Sequence, residues 1–211
     1  WQMRNRLREF LIAASRQSRS EMRSSMKIGI LAVQGAFAEH EQMLEQLSAE
    51  YIELRKGEDV RQSYDGLILP GGESTVQGKL MRELDMFDTI QGQIKNGMPV
   101  LATCAGAILL AQQLSNDAAT HLATLPAVVR RNAYGRQLGS FSVDEQIEGI
   151  GTFPMRFIRA PYIEKVLDDT KVLAKVDGNI VMVENKNQLA MSFHPELTSD
   201  TRIHEMFLKK I

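Results

Sequence analysis

Three times in its first 115 residues the chain passes from a short apolar strand, through a turn, into a helix-forming stretch. Residues 27–33 are apolar almost throughout, as in a strand covered on both faces, and Gln34-Gly35 turns the chain. Residues 36–47 then place Phe37, His40, Leu44 and Leu47 on one helical face. A strand over 66–70 stops at Pro70-Gly71-Gly72 and precedes a helical stretch reaching about residue 95, with a break predicted near Gly92. A strand over 100–102 runs into Thr103-Cys104-Ala105-Gly106 and a helix over 105–114. With a further strand at 51–55, this alternation predicts an α/β fold: a three-layer, open, mostly parallel sheet with helices on both faces. After residue 127 the texture changes. Strands are predicted at 127–131, 155–159, 172–176, 180–184 and 188–193. Asp177-Gly178-Asn179 and Asn185-Lys186-Asn187 are hairpin turns between the last three, so antiparallel hairpins gather toward the C-terminus before a closing helix at 200–210.

A length of 211 residues, 44% of them hydrophobic, suits one domain with a sizeable core. The net charge of −1 offers no basic surface for nucleic acid. No apolar stretch approaches the ~18 residues that cross a bilayer. A single cysteine excludes an intrachain disulfide and a cysteine-based zinc cluster, and fits a reducing, cytoplasmic setting. No metal or cofactor site is expected. Residues 1–25 differ from the rest: six arginines against Glu9 and Glu21 give +4, which leaves the remainder at −5. Leu7, Phe10, Leu11 and Ala14 fall at helical spacing. The segment is expected to be a leader outside the fold, of vector or read-through origin with a transit peptide as the alternative. Met26 then opens the domain, 26–211.

Cys104 stands at a strand-to-helix turn, where a sulfur points out of the backbone bend and the amides that begin the helix favour a thiolate. Phe193-His194-Pro195-Glu196 supplies a base and an orienting carboxylate. On an extended segment, side chains two apart point to one side, so Glu196 can lie beside the imidazole. Pro70-Gly71-Gly72-Glu73-Ser74-Thr75 also links a strand to a helix, and both turns would lie at the carboxyl end of a parallel sheet. Paired glycines let backbone approach a substrate or aim an N–H at an oxyanion, although a tight turn with a Ser/Thr helix cap explains the same residues. The three arginines within residues 130–137 suit a substrate carboxylate, or simply a solvated loop or protein-facing surface. Arg159 sits at a strand end. His40, His121 and His204 lack metal-ligand spacing and are structural or solvated.

Six segments, in order, resemble the triad-type (class I) glutamine amidotransferases, and among them the glutaminase subunits of pyridoxal 5′-phosphate synthase. They are Ile30-Leu-Ala-Val-Gln-Gly35, Leu69-Pro-Gly-Gly-Glu-Ser-Thr75, Thr103-Cys-Ala-Gly106, Arg131-Asn-Ala-Tyr-Gly-Arg-Gln137, Phe157-Ile-Arg-Ala-Pro161 and Phe193-His-Pro-Glu-Leu-Thr198. The resemblance implies a class I amidotransferase-like fold and a single glutaminase domain. It implies Cys104 as nucleophile on the glutamine amide, His194 as base and acid, and Glu196 as its orienting group. Gly72, Glu73, Ser74, Arg131, Ile158 and Arg159 would line the glutamine pocket, and Gly71, Gly72 and Ala105 would form the oxyanion hole. It further implies that ammonia passes to a (β/α)8-barrel synthase subunit that makes pyridoxal 5′-phosphate from ribose 5-phosphate and glyceraldehyde 3-phosphate. The implied assembly has twelve copies of each subunit, with the glutaminase weak until its partner docks. Ala102 stands where the family commonly has glycine, residues 115–126 depart from the family pattern, and the leader matches nothing in it. The alternatives are a glutaminase subunit of another amidotransferase, a cysteine hydrolase of similar architecture, and a non-catalytic regulatory subunit of the same fold.

Overall fold

The computed structural model describes residues 2–132 and 139–211. Helix α1 (Gln2–Ser24) precedes strand β1 (Lys27–Leu31), α2 (Phe37–Gln46), β2 (Glu50–Leu54), the one-turn α3 (Gly57–Val60) and β3 (Gly66–Leu69). There follow α4 (Ser74–Glu83), α5 (Phe87–Lys95), β4 (Val100–Thr103), α6 (Ala105–Leu110), β5 (Ala111–Leu114) and β6 (Leu125–Arg130). The C-terminal part holds β7 (Ser140–Ile147), β8 (Gly151–Ile158), β9 (Tyr162–Val166), β10 (Lys171–Val176), β11 (Asn179–Asn185), β12 (Gln188–Met191) and α7 (Arg202–Leu208).

One ten-stranded sheet runs β2-β1-β3-β4-β12-β11-β9-β6-β5, with β10 on β11. Its first five strands are parallel, while β9 through β12 introduce antiparallel pairs. Successive residues of the central strands feed opposite faces. Leu67, Leu69, Val100, Ala102 and Ala190 enter one core with Met81, Ile90 and Leu109. Ile68, Leu101, Leu189 and Met191 enter the other with Leu44, Phe207 and Phe193. The strands are apolar on both sides because both faces are covered. Helices α3 to α6 cover the first face. The second is covered by α2, α7 and the β7–β8 hairpin, so part of that layer is β rather than helical.

Several expected boundaries move. The helical stretch before residue 95 breaks at 84–86, where Asp85 takes φ 58°, and Gly92 lies inside α5 with open space around it. The helix expected over 105–114 ends at Leu110. Ala111–Leu114 instead pairs with β6, a tertiary contact overriding good helix formers. The strand expected at 155–159 is a full eight-residue strand, paired with β7, which the sequence pattern did not suggest. The hairpin turns hold, with Asp177 and Lys186 at positive φ.

The leader forms a longer helix than its spacing suggests, and Leu7, Phe10, Leu11 and Ile12 on it are exposed. Among the described residues, no helix is long and apolar enough to cross a membrane. Since α1 buries little apolar surface, deleting residues 1–25 should move the melting temperature by no more than about 2 °C. Differential scanning calorimetry of the shortened and full chains checks this, and a larger fall would make the helix part of the folded unit.

Candidate active site

Cys104 and His194 lie far apart in sequence, and two neighbouring parallel strands bring them together. Thr103 at the end of β4 is in register with Met191 at the end of β12, and the Cys104 N–H donates to the Met191 carbonyl at 2.8 Å. Beyond these residues both chains leave the sheet at the same edge. Cys104 does so with φ 48° and ψ −105°, a left-handed bend that turns its side chain out of the strand direction. Such a conformation costs of order 1–3 kcal/mol in a residue with a Cβ. Gly106 permits the bend's tight packing: a Cβ there would lie 2.1 Å from the Leu69 carbonyl oxygen. On the other strand, Phe193 is buried against Phe153 and Phe157, and the His194 N–H donates to the Arg156 carbonyl at 2.8 Å. The β8 strand therefore holds the histidine in place.

The expected alignment of His194 and Glu196 occurs, though by a different local structure. Residues Pro195–Leu197 form a 3-10 turn, not an extended segment, with proline at its start. The turn brings the carboxylate back, and His194 Nδ1–H donates to Glu196 Oε1 at 2.6 Å. This leaves the other ring nitrogen for Cys104, which lines the same cleft and interacts with the imidazole. The sulfur also lies 3.9 Å from the Ile158 carbonyl oxygen. Burial disfavours a charged imidazole, but the Cys104 and Glu196 contacts outweigh it and raise the His194 pKa to about 10. The arrangement can accept a thiol proton, hold it on a ring fixed in one tautomer, and return it.

A cleft of about 460 Å³ opens in front of the sulfur, lined by Gly71, Gly72, Glu73, Ser74, Cys104, Arg131, Ile158, Arg159 and His194. Glu196 lies behind His194 and Ala105 behind Cys104, both buried. Ser74 begins α4 without capping it; its Oγ is buried with no hydrogen-bond partner, a polar atom left free beside the cleft. Gly71 packs against the imidazole so closely that a Cβ would stand 2.3 Å from His194 Cε1. Its carbonyl accepts from the Ala36 N–H at 3.0 Å. Arg131 pairs with Asp117 at 2.8 Å, and Asn116 bonds both backbone groups of Arg131 at 3.0 Å. Arg159 sits at φ 44°. The rest of the arginine-rich segment, residues 133–138, lies outside the described residues. Because α6 has only six residues, the local N–H groups matter here more than a helix dipole.

Sequence reasoning missed the residues that hold the glycine turn. Gln34 Oε1 accepts from the Glu73 N–H at 2.8 Å, while buried Gln77 donates to the carbonyls of Gln34 and Pro70. Glutamines carry no pattern that marks such a role. His40 and His204 prove fully buried rather than solvated. Among the described residues, no group of three or more His, Cys, Asp or Glu side chains is arranged to hold a metal ion.

A strained cysteine at the carboxyl edge of a parallel sheet, with histidine and glutamate beside it, defines an α/β protein with a Cys–His–Glu site at its sheet edge. The SNO glutamine amidotransferase family matches residues 30–211, and the chain belongs to that family. It is 62% identical over 186 residues to the pyridoxal 5′-phosphate synthase subunit PdxT of Desulfitobacterium hafniense (strain DSM 10664 / DCB-2), covering 88% of this chain and 94% of the relative. A Streptococcus pneumoniae (strain CGSP14) subunit of the same name is 52% identical over 187 residues, covering 87% and 96%. A crystal structure of a glutamine amidotransferase superposes with a TM-score of 0.82 at 43% identity, covering 87% of this chain and 97% of that one.

If Glu196 favours the imidazolium, replacing it with glutamine should lower the His194 titration midpoint. Histidine NMR across a pH series reads this directly. An unchanged midpoint would show that the carboxylate does not set the charge of the ring.

Proposed function

We propose that this chain is the glutaminase of a pyridoxal 5′-phosphate synthase, hydrolysing L-glutamine to glutamate and passing the ammonia to a synthase subunit. The observation that carries the reading is the Cys104–His194–Glu196 alignment at one edge of the sheet. The name of the relatives supplies the destination of the ammonia. With Cys104 and His194 lining one cleft and Glu196 bonded to the ring, a purely regulatory role has little to recommend it.

In this reading Cys104 sulfur attacks the side-chain carbonyl carbon of glutamine, its proton passing to His194. The tetrahedral oxyanion takes hydrogen bonds from backbone N–H groups of Gly72 and Ala105, with Gly71 shaping the turn. Such a donor contributes roughly 3–4 kcal/mol. The intermediate collapses as the C–N bond breaks, and His194 returns the proton to the departing nitrogen, releasing ammonia. Water, deprotonated by the same imidazole, then cleaves the glutamyl thioester and regenerates the thiol. Gly72, Glu73, Ser74, Ile158 and Arg159 line the substrate pocket. Arg131 holds the substrate α-carboxylate with guanidinium N–H groups left over from its Asp117 pair.

Ammonia set free in water would be protonated and lost, so hydrolysis is best coupled to the presence of the acceptor. The Gly71–Gly72 peptide suits such a gate. Turning it would exchange one hydrogen bond, that of the Gly71 carbonyl to Ala36, at a net cost of about 1 kcal/mol. We place the partner as a (β/α)8-barrel synthase subunit, the assembly at up to twelve plus twelve subunits, the location in the cytoplasm, and the leader outside the glutaminase domain of residues 26–211.

Two measurements test the proposal. Cys104→Ala should lower glutamine hydrolysis at least about a thousandfold while leaving the melting temperature unchanged. Residual activity near the wild-type level would remove Cys104 as nucleophile. Adding the cognate synthase subunit should accelerate the otherwise slow hydrolysis by the full chain. An isolated chain already at full rate would sink the gating step.

A further inference from the structure

Behind Glu196 lies a buried polar cluster that the proposed reaction does not use. Four elements meet there: α2 brings His40, α7 brings His204, β4 ends in Thr103, and the 3-10 turn carries Glu196. The two histidines and the threonine have no solvent exposure, and none of the four lines the cleft. His40 Nδ1 lies 2.9 Å from His204 Nε2, and His40 Nε2 lies 3.3 Å from Thr103 Oγ1 and 3.6 Å from Glu196 Oε2. That oxygen is the one Glu196 does not give to His194. It is buried and has no hydrogen bond.

Protons can be placed in this cluster in two ways. If His40 carried its proton on Nδ1, its bare Nε2 lone pair would face a carboxylate oxygen. His204 would then have to protonate Nδ1, which is buried without a partner. If His204 Nε2–H donates to His40 Nδ1, then His40 Nε2–H points at Thr103 Oγ1 and Glu196 Oε2. Only a lone pair, on His204 Nδ1, is then left over. A buried donor without an acceptor facing it, and a lone pair against an anion, both cost more than this.

We propose that His40 is a positioning residue for the glutaminase site: its Nε2–H restrains the second carboxylate oxygen of Glu196, with His204 setting its tautomer. The inference rests on the glutaminase reading of the cleft. Restraining Oε2 prevents the carboxylate from rotating, which keeps Oε1 on His194 Nδ1 and the opposite ring nitrogen on the sulfur. The 3.6 Å separation closes to a hydrogen bond with a small side-chain shift, as catalytic contacts tighten when substrate arrives. The titratable groups facing His40 are His204, His194 and Glu196. Burial, then the two neighbouring rings, hold the His40 pKa well below its ordinary value, and burial lowers that of His204 to about 4. Both rings are therefore neutral near pH 7, and the cluster supplies a directed N–H instead of a competing cation.

Histidine 15N NMR of the wild-type full chain tests the tautomer. His40 should be protonated on Nε2 alone and should not titrate between about pH 6 and pH 9. A proton on Nδ1, or titration in that interval, overturns the proposal. Kinetics of the full chain with its synthase subunit test the role. His40→Phe should lower kcat about tenfold with KM changed less than about twofold, and His40→Gln, which keeps an N–H, should recover most of the loss. In a Glu196→Gln background His40→Phe should add no further loss, because no carboxylate remains to be held. Equal losses in both backgrounds, or none in either, overturn the positioning role. If His40→Phe does not fold, the wild-type tautomer and a near-wild-type kcat for His40→Gln decide the matter, with a contrary result in either rejecting the role. Failure of the wild-type complex to hydrolyse glutamine would defeat the glutaminase reading, and the NMR result would remain separate from it.

Discussion

The site depends on the parallel pairing of β4 with β12. Each strand has only four residues, yet their register from Gln188 opposite Val100 to Met191 opposite Thr103 fixes where two distant segments leave the sheet. A slip of one residue would turn every side chain to the opposite face. It would exchange Leu101 and Leu189 with Ala102 and Ala190 between cores of different shape. Packing on both faces thus sets the register, and the register sets the distance between sulfur and imidazole. The chemistry is held by the core.

The groups so assembled are costly to keep. A left-handed cysteine and a buried carboxylate each oppose folding. Neither of them needs to stabilise the protein, because the two apolar cores do that. What the burial yields is orientation. Glu196 faces a low-dielectric surrounding in which its bond to His194 is strong, and the single ring nitrogen left over has one direction to point. The same burial suits His40 and His204, since neutral rings can supply hydrogen bonds there without bringing in further charge.

Much of this was legible from residue order. Strands covered on both faces are apolar without interruption, so β1, β3 and β4 announce themselves, and the turns after them fall at the sheet edge. The cysteine and the His-x-Glu segment stand out because so few residue types can do that work. Other features escaped for physical reasons. Ala111–Leu114 contains good helix formers and becomes a strand only because β6 lies beside it. Strand β7 alternates Phe141, Val143 and Ile147 with polar residues, but Glu145 interrupts the apolar side and weakens the signal. The chain turns at Asp85 and continues helically through Gly92, because Gly92 faces open space where a missing side chain costs little. His194 and Glu196 meet through a 3-10 turn and not an extended segment, so their spacing predicts the contact but not the backbone that makes it. Gln34, Gln77 and His40 act across long separations that no local spacing reveals.

The segment 115–126 has a definite place in the structure. Asn116 receives the Arg131 N–H and donates to the Arg131 carbonyl, imitating a strand neighbour, while Asp117 takes the guanidinium. Asp117 is in turn oriented by the Ala119 N–H, and that bond, together with Arg131, holds its pKa below the usual carboxylate range. The arginine at the cleft is consequently fixed at both backbone and side chain before any ligand arrives. Ordering a long side chain in advance lowers the entropy that binding must overcome, at the expense of some donors. A segment that does not itself line the cleft thus sets how firmly Arg131 is held there.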